Sequence, residues 1–369
     1  MKNKLSKIFL LIGLILAVTL GCYAFSFRNM TLDFIHISDT HITQRESTPY
    51  KALKHSNELL ADAIDQINKI VGLDFVLFTG DMVDSATSEN FDSYYAELSK
   101  LKYPTLNTLG NHEYSGNMTK EEVLNTIKKY NPNYIFNDSY YAFSPKSDYR
   151  IIVLDANIPD SNTSMGEFPK EQLDFLEKEL GENQDKVAVI ALHHAPVEPF
   201  IAKEHSIINA DEFNNILVKY KNPIIVLSGH YHATKIRRVG NIVYVSTPSM
   251  VTYPMAFRHI KITNYKDRVV YDFEFMPTRL ENIREENRQS VISYGTLAGF
   301  EKDRNTQFIF HKRHPKSIRY KKNKIQSFKK EAKTSKRELK KLTQPQKTKR
   351  EFKFFKRKTK EEKVTPSEV

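Results

Sequence analysis

Five times along this chain a short apolar run stops abruptly at a polar block. The runs are Leu32 to Ile37, Phe75 to Thr79, Thr105 to Leu109, Val187 to Leu192 and Ile224 to Ser228. Their length and their β-branched and aromatic content predict buried strands. Between them apolar residues return every three or four positions, the helical period. Ser56 to Val71 sets Leu59, Leu60, Ala63, Ile64, Ile67, Ile70 and Val71 on one face. Asn90 to Lys100, Thr119 to Tyr130, Pro169 to Leu180 and Ala210 to Lys219 read as further helices. Thr119 with Glu122 is a capping box, Pro169 suits a first helical turn and Gly181 a stop. After Gly229 strands dominate: Ile242 to Ser246, Phe257 to Thr263 and Arg268 to Phe275, with a hairpin turn over Asn264 to Asp267. Arg279 to Arg288 has helical spacing, and Gly295 to Phe300 is placed to pack back on the domain. The reading is an α/β fold with one core domain over residues 32–275 and a C-terminal extension over 276–311.

The polar blocks carry the chemistry. They are Asp39-Thr40-His41, Gly80-Asp81 with Asp84, Gly110-Asn111-His112-Glu113, His193-His194 and Gly229-His230-Tyr231-His232. Ligands of open α/β sheets bind outside the carboxyl ends of the strands, so five strand ends deliver these side chains to one edge. Carboxylates, an amide and several imidazoles supply enough oxygen and nitrogen for two divalent cations. That donor set suits zinc, iron or manganese, and the lack of thiolate argues against a closed structural zinc site. Two such ions side by side make a site for in-line attack on phosphorus. His230 and His232 flank one tyrosine and would face the same way in an extended chain. Asp84 has a second reading as a helix N-cap. Glu113 reads as structural. His36, His55, His205, His259, His311 and His314 lie outside the blocks and read as structural or surface residues. Specificity falls to the loops Gln44 to Tyr50, Ser85 to Asn90, Ser115 to Met118 and Asn157 to Phe168.

The order D-x-H, G-D-x-x-D, G-N-H-E, H-H, G-H-x-H resembles that of the calcineurin-like metallophosphoesterase superfamily. Ser246-Thr247-Pro248-Ser249 through Tyr253-Pro254, then Phe257-Arg258, resembles its class III cyclic-nucleotide phosphodiesterase subgroup. The resemblance implies a four-layer αββα sandwich and a metal-dependent phosphoric ester hydrolase, with phosphodiesters favoured. It implies two divalent ions, manganese, iron or zinc. Asp39, His41 and His232 would hold one, Asn111, His193 and His230 the other, and Asp81 would bridge them. A hydroxide between the ions would attack phosphorus. His112 would stabilise or protonate the leaving group, oriented by Asp84, while His194 would face the substrate or the ligands' surroundings. Two alternatives stand beside this: a nuclease, and a catalytically inactive scaffold that binds polyanions.

Both ends of the chain differ from the core. Lys2, Lys4 and Lys7 precede an almost unbroken apolar run, Ile8 to Leu20. This is the design of an export signal, and to Phe25 it nears the length of a spanning helix. Residues 1–25 are thus expected to be a cleaved signal, a retained membrane anchor or, through Cys22, a lipid-modified one, with the catalytic domain at the cell membrane or exported, on the extracytoplasmic side. One cysteine in the whole chain permits no internal disulfide. Residues 312–363 hold 23 Lys or Arg against 5 Glu, a surplus of 18 in a chain whose net charge is +12, so everything else carries −6. The basic character belongs to the tail over 312–369, which has too little apolar content to fold alone and is expected to be disordered. Its partners would be anionic lipid or a wall polymer, with nucleic acid as the alternative.

Overall fold

The computed structural model describes residues 30–312 except 132, 133, 135, 137, 160 and 162. The expected N-terminal signal or anchor and the basic tail beyond Lys312 lie outside the described residues. Among those described, no helix is long and apolar enough to cross a membrane.

In chain order the elements are β1 (Thr31–Ile37), α1 (Ser56–Ile67), β2 (Phe75–Thr79), α2 (Ser88–Leu98), β3 (Thr105–Thr108), α3 (Lys120–Tyr130), β4 (Tyr141–Phe143), β5 (Tyr149–Val153), α4 (Lys170–Glu182), β6 (Val187–Ala191), α5 (Ala210–Leu217), β7 (Ile224–Ser228), β8 (Lys235–Val239), β9 (Ile242–Ser246), β10 (Ala256–Asn264), β11 (Arg268–Pro277), α6 (Glu281–Ser290), two short helices (Tyr294–Ala298 and Glu301–Arg304) and β12 (Thr306–His311). They form a mixed α/β fold with two six-stranded sheets, ordered β12-β11-β10-β1-β2-β3 and β4-β5-β6-β7-β9-β8.

The alternation of side chains across a strand explains how the second sheet is covered on both faces. Ile151, Val189, Leu227 and Val245 join the core cluster that contains Phe34, Val76 and the helices α1 and α2. Their neighbours Ile152, Ile190, Val226 and Tyr244 instead join Leu176 of α4 and Phe213 of α5. One face therefore packs toward the first sheet and the other under helices. His36 crosses between the sheets: Nε2 lies 2.8 Å from Thr79 Oγ1 on β2, and Nδ1 lies 2.8 Å from Thr247 Oγ1 just after β9.

Parallel pairing sets the position of the site. Ile37 is level with Phe78, and Phe78 with Asn107. Ala191 is level with Leu227 in the other sheet. The chain therefore leaves β1, β2 and β3 at one edge, and β6 and β7 leave together likewise. At the far end of β1, Thr31 pairs with Thr263, and Lys312 donates its backbone N–H to Asp267 in the adjoining turn.

Residues 276–311 are part of this architecture, since β12 pairs antiparallel with β11. Arg258 is fully buried and donates to the carbonyls of Ser246, Asp303 and Arg304, stitching β10 to the extension. One helical expectation fails. Val71 is 92 % exposed, because α1 ends at Ile67 and the turn after it carries Val71 away from the apolar face. Gly181 does not stop α4, which runs on to Glu182, and Pro169 is its N-cap. The capping box at Thr119 and Glu122 is present.

Candidate metal centre

Each strand end hands its block to a common, buried cluster. Asp39, His41 and His232 offer ligand atoms within 4.8 Å of one another, as do Asp81, His193 and His230, and as do His41, Asp81 and His112. Asp81 connects the groups: its Oδ2 lies 3.6 Å from His41 Nε2 and 3.3 Å from His193 Nε2. His232 Nε2 is 3.3 Å from Asp39 Oδ1 and 3.3 Å from His41 Nε2. His230 Nδ1 is 3.0 Å from His193 Nε2.

The backbone is strained where these side chains turn inward. Asp39, His41, Asp81, His230 and His232 all have left-handed φ, between 43° and 65°. Such a backbone is costly for residues with a Cβ and clusters at functional sites. This differs from the extended conformation expected for His230 and His232. The left-handed turns send His230 to the Asp81 group and His232 to the Asp39 group. Gly229 makes room for the turn, since a Cβ there would overlap Ser38 Oγ and the Asp39 carboxylate.

The surroundings fit cations. His193 Nδ1 donates to the Thr79 carbonyl at 2.7 Å, which leaves the lone pair of Nε2 facing Asp81. His232 Nδ1 is held by Thr252 Oγ1 at 2.9 Å and faces inward through Nε2. Asn111 Oδ1 and His230 Nε2 are buried without a hydrogen-bond partner among the described residues. Inward lone pairs and orphaned donor atoms around carboxylates are what a metal site needs and what a packed core avoids. Charge has the same focus. Burial opposes protonation of His193, but Asp81 outweighs it and lifts the imidazole to about 9, so that a proton takes the place on Nε2 that a cation would otherwise hold. Burial, aided by His193, pushes His194 down to about 3.

Glu113 holds the loops in place. Its carboxylate accepts backbone N–H groups of Asp81 at 2.8 Å, Gly110 at 2.7 Å and Val83 at 3.2 Å. The N-cap position of α2 belongs to Thr87, which accepts from Asn90 N, and not to Asp84. Asp84 stands beside the cluster: Oδ1 is 3.5 Å from His41 Nδ1, and Oδ2 accepts from Arg45 at 2.8 Å. His194 is buried against His230, ring centroids 4.3 Å apart, and both its nitrogens lack partners among the described residues.

A cavity of about 320 Å³ opens onto Asp81, Asn111, His112, His230 and His232. Tyr50 and Ser164 of the anticipated loops line it. So do Lys51, Phe200, His205 and Leu297, which sequence reasoning did not single out for function. No local pattern marks them; only the fold gathers them. Tyr50 stacks on His232 at 5.5 Å.

Residues 32–234 match the family model described as calcineurin-like phosphoesterase. A probable glycerophosphodiester phosphodiesterase from Arcobacter nitrofigilis is 27 % identical over 58 % of this chain and 77 % of its own. A 3',5'-cyclic-nucleotide phosphodiesterase from Nostoc is 25 % identical over 60 % of this chain and 79 % of its own. The crystal structure of a dimetal phosphatase from Danio rerio superposes with a TM-score of 0.56 at 18 % identity, covering 67 % of this chain and 99 % of that one.

Proposed function

The chain belongs to the calcineurin-like phosphoesterase family, a family of hydrolases, and from that premise we propose that it is a binuclear-metal phosphoesterase that prefers phosphodiesters. The placement of Asp81 Oδ2 between His41 and His193 carries this reading. In it, Asp39, His41 and His232 would hold one ion, Asn111, His193 and His230 would hold the other, and Asp81 would be shared between them. Once bound, the ions supply Lewis acidity and a water acidified toward neutral pH. The chain's own residues do the rest. His112 donates its Nδ1 hydrogen to the Asp84 carbonyl at 2.6 Å and turns Nε2 to the cavity, where it stabilises or protonates the leaving oxygen. The diester preference follows the names of the curated relatives.

The attachment of the protein is proposed from sequence. Residues 1–25 place the domain at the cell membrane or outside it, and the basic tail lies on anionic lipid or wall polymer.

The test is a hydrolysis screen with manganese, iron and zinc. It spans mono- and diesters, cyclic nucleotides, pyrophosphates and lipid phosphates. Asp81→Ala and Asn111→Ala are the controls, expected to lose most of the rate with the fold kept. Variants as active as the parent would place the activity elsewhere.

A further inference from the structure

Lys51 belongs to none of the motif blocks, yet its side chain ends in the cavity, 19 % exposed. Its Nζ lies 3.4 Å from His41 Nδ1, 3.5 Å from His112 Nε2 and 3.8 Å from Asp84 Oδ1. The contact with Asp84 is too long for a hydrogen bond, and the other oxygen of that carboxylate is taken by Arg45. The ammonium group is therefore ion-paired with Asp84 but spends no hydrogen bond on a carboxylate.

The two rings decide where its hydrogens point. His112 Nδ1 faces a carbonyl, which can only accept, so Nδ1 carries a hydrogen and Nε2 is the ring atom turned to the cavity. Lys51 and the cavity-facing atom of His112 thus meet at one spot. His41 is the opposite case. Its Nε2 faces Asp81 and His232. With a cation on Nε2, Nδ1 keeps its hydrogen and cannot accept from Lys51. A cation at His41 leaves the donors of Lys51 directed at the cavity beside His112.

Phosphoester chemistry gives those donors a use. A pair of ions offers contacts for two phosphoryl oxygens. A diester has two non-bridging oxygens, whereas a monoester has a third, charged one. Resting on the binuclear reading above, we propose that Lys51 binds this third oxygen and so admits the terminal phosphoryl group of a monoester as substrate. The reaction remains hydrolysis: water adds to phosphorus, the ester P–O bond breaks, and the alcohol and inorganic phosphate leave.

The experiment compares the full chain with Lys51→Met and Lys51→Arg. Metal content, calorimetric titration with inorganic phosphate, and kcat/KM for p-nitrophenyl phosphate and bis(p-nitrophenyl) phosphate are measured after manganese loading. Lys51→Met is expected to keep its metal and to bind phosphate about 10- to 100-fold more weakly, the worth of a charge-assisted hydrogen bond. Its monoester-to-diester ratio should fall at least about fivefold. Lys51→Arg keeps the charge and should restore most of the phosphate affinity. An unmoved ratio with unmoved phosphate affinity overturns the proposal. So does loss of metal from Lys51→Met, which would make the lysine a support of the ions. If the parent hydrolyses neither ester with any metal, the binuclear reading fails, and the phosphate titration still decides the role of Lys51.

Discussion

His112 Nδ1 sits 2.6 Å from the main-chain oxygen of Asp84, whereas the nearer carboxylate oxygen of that residue is 3.7 Å away. The imidazole is aimed by the backbone, and the Asp84 side chain is left to Arg45 and His41. This sorts the two residues by what their replacement removes. Asp84→Asn keeps the carbonyl and should lower kcat by less than about tenfold, while His112→Ala should lower it about 100-fold or more, the range of a lost general acid. Steady-state rates with manganese check this. An Asn variant as slow as the Ala variant would show that the carboxylate itself is needed.

The position of Asp81 predicts unequal metal losses. Metal analysis of the parent should find about two ions per chain, His232→Ala about one, and Asp81→Ala close to none. Adding metal at about a hundredfold over its Kd should stabilise the stripped parent by about 2.7 kcal/mol for each ion bound, and Asp81→Ala by far less. Thermal unfolding with and without chelator measures both. Equal ion content in the two variants would contradict a shared carboxylate.

His36 predicts sensitivity to acid. Burial, with the charge of Arg258 nearby, holds its pKa well below the usual 6.5. Below pH 6.5 the unfolded chain takes up a proton that the folded chain refuses, so the stability contribution is present above that pH and is lost as pH falls. The slope from this residue is at most about 1.4 kcal/mol per pH unit. Urea unfolding of chelator-treated protein, from pH 8 down to about 5, should show a shallower fall for His36→Gln than for the parent. Parallel curves would sink the assignment.

Crowding at Gly229 predicts a structural and a functional defect together. A methyl there would press on Ser38 and the Asp39 carboxylate. Gly229→Ala should cost about 1–3 kcal/mol and reduce metal content. At Gly295 a methyl meets nothing within 4 Å among the described residues, so Gly295→Ala should stay within about 0.5 kcal/mol of the parent. Urea denaturation and metal analysis of both variants decide it.

Much of the fold was legible because buried parallel strands are continuous apolar runs. Expected Phe75 to Thr79, Ile224 to Ser228 and Ile242 to Ser246 coincide with β2, β7 and β9. Strands whose character depends on partners elsewhere were not read. In β8, Lys235, Arg237 and Arg238 mask the buried Ile236 and Val239. In β5, Arg150 interrupts the run and finds Glu179 of α4 at 2.7 Å. β12 is an edge strand of half-buried and exposed residues. The polar blocks were legible as a set because they follow strands. The division of His230 from His232 came with the family resemblance and not from their spacing, since it depends on left-handed turns packed against Asp39. Lys51 was illegible for a plainer reason: one lysine in a polar loop has no signature until the fold closes over it.

The pairing of Thr31 with Thr263 and the bond from Lys312 to Asp267 put both ends of the described chain at one pole of the first sheet. Asp39 is at the other, about 20 Å further along β1 at the usual rise of a strand. A short tether joined close to Thr31 would therefore hold the domain by its base and point the aperture away from whatever it is tied to. Under such a tether dissolved esters would reach that aperture from open solvent, whereas a headgroup in the tethering surface would require the whole domain to tip over.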